Sequence, residues 1–229
     1  MPQMPRGASP NMADGIRGMD ELLALMAERV GVSPDPAHLL GQDRIDPDLT
    51  IGGLDRLATA VSSAARPGAR VIVATGHPAG LLPVHLAIAA ALRAAGSELL
   101  TPAAGFEYPT TTRYGRVTRQ IRHINAVATV STRGELNHPH SPRPMEAMLA
   151  ALAQGGESPP DLVVADHGWA GAAGLAGVES VGFADSNDPA LFVGEAEGTI
   201  AVAVPLDDNV APHLYAPLTT YVLAAAGLG

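Results

Sequence analysis

The sequence predicts an α/β domain, three-layered and Rossmann-like, built on a mainly parallel sheet of five or six strands. Three observations carry that expectation. Short apolar runs recur along the chain, such as Val71-Ile-Val-Ala-Thr75, Ala126-Val-Ala-Thr-Val130, Leu162-Val-Val-Ala165, Val181-Gly-Phe-Ala184 and Ile200-Ala-Val-Ala-Val204. Runs of that length without alternation suit strands buried on both faces, as helices on either side of a parallel sheet require. Each run ends in a cluster of Gly, Pro or polar residues, and from Arg70 onward helical segments alternate with the runs. A blander sixth run, Glu98-Leu-Leu-Thr101, ends in Pro102-Ala-Ala-Gly105.

In chain order, residues 1–17 mix Met, Pro, Gly, Asn and Ser without period and are expected to form a mobile tail ahead of one domain over 18–229. Residues 18–66 read as a helical lead-in. Its first helix, Asp20 to Val30, opens on acids that suit a helix N-terminus and stops at Ser33-Pro-Asp-Pro36. A second, Ile51 to Ala64, lines up Leu54, Leu57, Ala60 and Val61 on one face before Pro67-Gly68. Leu81 to Ala95 is helical, with Pro83 tolerated in the first turn and Gly96 placed as a C-cap. His85 falls inside that helix as a surface or packing residue. Phe106 to Asn125 interleaves Tyr, Thr and Arg and reads as a hairpin or a flap over the rim. Met145 to Leu152 is amphipathic. Gly168 to Gly177 is so rich in Gly and Ala that a helix there packs its backbone close to the sheet. Pro189 to Ala196 and Leu214 to Ala226 are the last helical stretches, the former with Asp188 as N-cap ahead of a first-turn proline.

Composition removes several function classes. The 229 residues contain no cysteine, so disulfides, thiolate metal sites and cysteine nucleophiles are absent. All fourteen basic residues are Arg, which excludes a lysine Schiff base and the Walker lysine. A net charge of −9 argues against nucleic-acid or anionic-membrane partners. Arg113, Arg116, Arg119 and Arg122 are a local exception that either flanks an anionic substrate or forms a solvated face. No apolar stretch reaches the ~20 residues of a membrane span, and no secretory signal is visible, so a cytoplasmic protein is expected.

The chemistry collects where the apolar runs end, which in a parallel sheet is one edge. Thr75-Gly76-His77-Pro-Ala-Gly80 joins a strand to a helix, and Thr75, Gly76 and Gly80 suit an anion cradle or a purely structural turn. His77 suits acid–base work or metal binding. Asp166-His167 and Asp185-Ser-Asn187-Asp follow successive buried runs, where an unpaired carboxylate is costly. Asp166, Asp185 and Asp207 are therefore expected to hold magnesium or manganese, with His77, Asp166 and His167 carrying the reaction. Of Asp207-Asp208, one carboxylate is expected to turn into the rim and the other to cap the next turn. In Asn137-His-Pro-His-Ser141, His138 and His140 lie two apart and face one side of an extended chain unless Pro139 bends it. Arg133, His140, Ser141, Arg143 and Asn187 complete the expected substrate and phosphate contacts, the two arginines as bidentate donors.

The blocks Ala74 to Leu81, Val163 to Gly174, Ala184 to Phe192, Glu197-Gly-Thr199 and Val204 to Val210, with the upstream segment Leu23 to Pro47, resemble a small actinobacterial family known generically as phosphatases. The resemblance covers the chain from about Leu22. Longer members carry an additional Arg- and Asn-rich N-terminal segment, and this chain diverges from them between Phe106 and Asn137. The resemblance implies a phosphatase, and together with the carboxylate-rich strand ends and the anion-cradle loop it makes the leading reading a metal-dependent phosphomonoesterase acting on a small anionic metabolite. The usual aspartyl-phosphatase pattern, two Asp one residue apart with a distant lysine, is missing, so attack by water is expected. Two alternatives stay open: a carbon–oxygen or carbon–nitrogen lyase or cyclase, with a remote architectural likeness to glutamate cyclases, and a metabolite-binding module without turnover. The partner in each is a small molecule, and a homodimer is compatible with all three.

Overall fold

Alternation along the central strands decides which helices cover which face. The computed structural model describes residues 18–112 and 115–229; the tail expected at 1–17 lies outside the described residues. In β1 (Arg70–Ala74), Val71 and Val73 enter one apolar cluster while Ile72 and Ala74 enter the other. In β7 (Leu162–Asp166), Leu162 and Val164 side with the first and Val163 and Ala165 with the second. The first face is covered by α2 (Pro47–Ala64), α3 (Leu82–Ala94) and α7 (Ala216–Ala225). The second is covered by α1 (Met19–Val30), α4 (Arg143–Gln154), α5 (His167–Leu175) and α6 (Ala190–Ala196). The layers are helix, sheet, helix, as the sequence predicts.

The sheet has nine strands among the described residues rather than five or six. β1 pairs in parallel with β7, followed by β8 (Ser180–Ala184) and β9 (Val202–Pro205). On its other side β1 meets the two-residue β2 (Glu98–Leu99) and then β5 (Val127–Thr132), also in parallel. An antiparallel wing completes the order β3-β4-β5-β1-β7-β8-β9, formed by β3 (Glu107–Thr112) and β4 (Gly115–Ile124), with β6 (Glu135–Leu136) added to β5. These extra strands escape an apolar-run criterion because β3 and β4 alternate half-exposed Thr, Arg and Gln, and β2 and β6 hold two residues each. The stretch from Phe106 is thus a hairpin. Its Arg116, Arg119 and Arg122 lie on a strand, where a spacing of three puts successive side chains on opposite faces.

Register places the wing. Val127 and Ala128 stand opposite Val73 and Ala74, the last residues of β1, so the rest of β5 projects past the end of β1. The chain runs from β1 to β2 and the wing on one side, then returns to β7 on the other, making the carboxyl end of β1 the switch point.

The Gly/Ala stretch forms α5 close against the sheet. A Cβ on Gly182 of β8 would overlap the Ala165 carbonyl and stand 3.4 Å from Cβ of Ala170. On α3, His85 is a packing residue: its ring is fully buried, Nδ1 donates to the Leu81 carbonyl at 2.9 Å, and Nε2 has no partner. Phe183 meets it edge-on at 5.7 Å. No helix among the described residues is long and apolar enough to cross a membrane.

Two outcomes follow from this packing. Gly182→Ala must push strand or helix aside and is expected to destabilise by about 1–3 kcal/mol, read as a lowered midpoint in denaturant. Burial, with a smaller push from His77, lowers the pKa of His85 below its ordinary 6.5 despite the Asp166 charge and the Leu81 carbonyl. The unfolded chain then binds the proton more readily, so this stability is complete above about pH 6.5 and falls as pH drops below it, by up to ~1.4 kcal/mol per unit. Unfolding measured from pH 7.5 to 5 should show that slope, and His85→Leu should flatten it.

Candidate active site

β1 hands over to the first loop at Thr75, whose N–H still bonds Ala128 of β5. The Thr75 hydroxyl donates to Oδ2 of Asp166, the last residue of β7, and accepts the N–H of His77 at 2.9 Å. Gly76 N–H donates to the other Asp166 oxygen at 2.6 Å. Asp166 is completely buried, and burial raises its pKa; the imidazoles of His77, His85 and His167 outweigh this and hold it below the usual carboxylate range. Gly76 is required by crowding: a Cβ there would lie 2.5 Å from the Pro139 carbonyl and 3.1 Å from Asp166.

His167 follows Asp166 directly and opens α5 with φ of 45°, a left-handed conformation that L side chains rarely adopt. This sharp strand-to-helix turn buries the ring between two carboxylates. Nδ1 donates to Asp188 Oδ2 at 2.5 Å and Nε2 to Asp208 Oδ2 at 2.6 Å. Burial disfavours the charged ring, but hydrogen bonds to Asp188 and Asp208, with the field of Asp166, pull its pKa up to about 10. Asp188, raised by burial, is lowered further by His140 and His167 to below the carboxylate range.

Three more imidazoles gather on this pair. His77 lies 3.4 Å from Asp208 through Nε2, while its buried Nδ1, 3.8 Å from Asp166, has no hydrogen-bond partner. His140 Nδ1 stands 3.5 Å from Asp188. Nε2 of His140 and Nε2 of His138 are 2.8 Å apart. The ring of His77 meets His138 at 3.6 Å and His167 at 4.2 Å between centroids. His138 is the exposed member; burial of part of the ring and the neighbouring imidazoles His77 and His140 push its pKa down to about 4. One nitrogen from each of His77, His140 and His167 lies within 4.8 Å of the others, so this group could hold a metal ion.

The loop carrying His138 and His140 is fixed from behind. Trp169 Nε1 donates to the Pro139 carbonyl at 3.1 Å, and Gly168 leaves room for the His140 carbonyl, which a Cβ would strike. The last loop is pinned similarly. Tyr215 donates to the Asp207 carbonyl at 2.7 Å, and Gly80 leaves room for the carbonyl of Asp208, which a Cβ would approach to 2.7 Å.

Thus Thr75, Gly76, His77, His140, Asp166 and His167 stand together. The other expected members make contacts of their own or face solvent. Asp207 is exposed and accepts Asn209 N–H at 3.0 Å; its neighbour Asp208 is the one that turns inward. Asp185 closes a local turn, accepting Ser186 N–H at 2.6 Å and the Asn187 amide at 2.7 Å, so Asn187 is occupied there as well. Asp188, expected as a cap, accepts Ala190 N–H at 3.3 Å through one oxygen and serves the cluster through the other. Arg133 sits in the exposed β5–β6 turn with φ of 53°. Arg143 lies over the Tyr108 ring at 5.0 Å and donates to the Pro109 carbonyl at 3.1 Å, tying α4 to the wing. Ser141 accepts Arg143 N–H at 3.3 Å. The sequence signal for Asp188 and Asp208 was their place after buried runs; which of two nearby acids turns inward depends on the local turn.

A doubly covered α/β sheet with imidazoles and carboxylates crowded at the switch point defines an enzyme of the open-sheet class. The chain belongs to the phosphatase family, whose profile matches residues 12–229. It is similar to Phosphatase SCO2771 of Streptomyces coelicolor, with 53% identity over 217 residues that span 93% of this chain and 80% of the relative. No solved structure matches it. The protein is a hydrolase of the phosphatase kind.

Asp166→Asn tests the anchor. An amide supplies one acceptor group where Thr75 and Gly76 present two donors, and with no negative charge on the side chain the bond that remains is a neutral one. One buried, charge-assisted bond is lost, so stability should fall by about 1.5–3 kcal/mol, read by denaturant unfolding, with turnover reduced alongside.

Proposed function

We propose that the protein is a metal-dependent phosphomonoesterase whose ion is held by His77, His140 and His167, with Asp188 and Asp208 alongside to balance its charge. The convergence of three imidazole nitrogens within 4.8 Å carries this reading. Imidazole donors suit zinc, iron or another later first-row ion better than magnesium, which prefers oxygen, and the flanking carboxylates of Asp188 and Asp208 keep manganese among the ions to test. To hold an ion, His167 would give up the proton it shares with the two carboxylates, and Asp188 and Asp208 would then balance the ion's charge.

A bound ion would supply positive charge for the phosphoryl oxygens and a more acidic water. The chain supplies the rest. Gly76 and Thr75 hold Asp166, which keeps the first and third loops in fixed relation. Asp166 is fully buried behind those bonds, so in this reading water rather than this carboxylate is the nucleophile. His138, open to solvent beside His77 and His140, stands where a proton can pass between the cluster and bulk water.

Phosphate release from p-nitrophenyl phosphate and a panel of phosphomonoesters tests the reading. Exhaustive chelation should abolish turnover, and zinc or manganese should restore it. His140→Ala and His167→Ala should lose bound metal by mass spectrometry and lower kcat by at least about 10²-fold. Full activity in metal-free protein would sink the proposal.

A further inference from the structure

A cavity of about 820 Å³ opens beside the cluster, between α2, α7 and the loops that follow β8 and β9. Asp43, Asp185 and Asp207 line it together with Ile51, Leu54 and Leu218, and the other polar lining groups are hydroxyls and amides. No Arg or His lines it among the described residues, and the chain has no lysine. Two of its walls are the loops that present Asp188 and Asp208: Asn187 and Asp207 each stand one residue before them. Asp185 is near enough to Asp208 and Asp207 for their charges, after burial, to raise its pKa. The cavity therefore adjoins the two loops that carry Asp188 and Asp208, and its size suits a small organic ligand.

We propose that this cavity takes the organic part of the phosphate ester, and that this part is a hydroxylated cation of the amino-sugar or amino-polyol class. The inference rests on the phosphatase reading of the neighbouring cluster. Three carboxylates with no cation to pair inside the cavity attract an ammonium and accept from hydroxyls. The Ile51, Leu54 and Leu218 wall covers the apolar face of a small ring. A second anionic group on the substrate would meet the same carboxylates and be repelled. The net charge of −9 strengthens that selection.

Calorimetric titration with glucosamine, glucose and glucuronate compares one ring carrying positive, zero and negative charge. Glucosamine should bind at least about tenfold more tightly than glucuronate. Asp43→Asn with Asp207→Asn should erase that preference while circular dichroism shows a folded chain. Ile51→Trp, at a partly exposed position on the cavity wall, should weaken all three sugars if the double variant does not fold. No saturable binding, or glucuronate equal to glucosamine, overturns the proposal. Phosphate release is measured separately. Turnover of p-nitrophenyl phosphate without sugar binding removes the cavity assignment alone. Glucosamine binding without release of phosphate from any ester removes the phosphatase reading and keeps the cavity as a binding site.

Discussion

Asp166 has no exposed surface, and its two oxygens close the turn after the neighbouring strand through Thr75 and Gly76. A carboxylate buried without such donors would be protonated or would unfold the edge that holds it. With them it becomes a clamp across the switch point, joining the ends of β1 and β7 where no backbone pairing reaches. The residue after Asp166 is His167, so the clamp also sets where the left-handed turn begins and hence where the central ring lands. Two further acids, Asp188 and Asp208, then face that ring from the next two loops. Three carboxylates in one buried space repel one another. Imidazoles standing between them make the arrangement tolerable, and in return the acids orient the rings.

Such crowding requires backbone to approach backbone, and glycine permits it at the contacts that matter. Gly76 admits the Pro139 carbonyl and Gly168 admits that of His140. The loop bearing His138 and His140 thus lies directly on the turns after β1 and β7. Larger residues would hold it away by the width of a methyl group, enough to separate nitrogens that now share a small space. Trp169 completes the seat with one hydrogen bond and a fully buried ring.

The layer order and the gathering of loops at one edge were legible because burial on both faces leaves an unmistakable apolar run, and parallel pairing sends every run's end the same way. The wing was not, since a strand with one solvated face and many Thr and Arg carries no such run. Site residues divide along the same line. Thr75, Gly76, His77, Asp166 and His167 sit within three residues of a strand end, where topology alone fixes their place. Asp188 against Asp185, and Asp208 against Asp207, are choices made by turns: Asp185 satisfies its own loop, and the Tyr215 bond to the Asp207 carbonyl leaves the next side chain inward. Arginine was misleading for a different reason. Arg143 is held by a ring and a carbonyl of β3, contacts that no local pattern announces.

The two halves of the sheet divide the work. Parallel strands deliver four of the loops from a rigid edge whose inner residues are wholly buried, and this suits groups whose spacing must not vary. The fifth loop comes from the antiparallel wing, where Val127 and Ala128 at the start of β5 meet the last residues of β1 and the rest of β5 extends beyond it. That segment brings His138 and His140, the two more accessible rings, from the side opposite the acidic cavity. A ligand entering between them meets imidazole from the wing and carboxylate from the parallel half. On the proposed reading this asymmetry would favour a molecule that is anionic at one end and cationic or hydroxylated at the other, and the asymmetry itself arises from topology before any particular side chain is chosen.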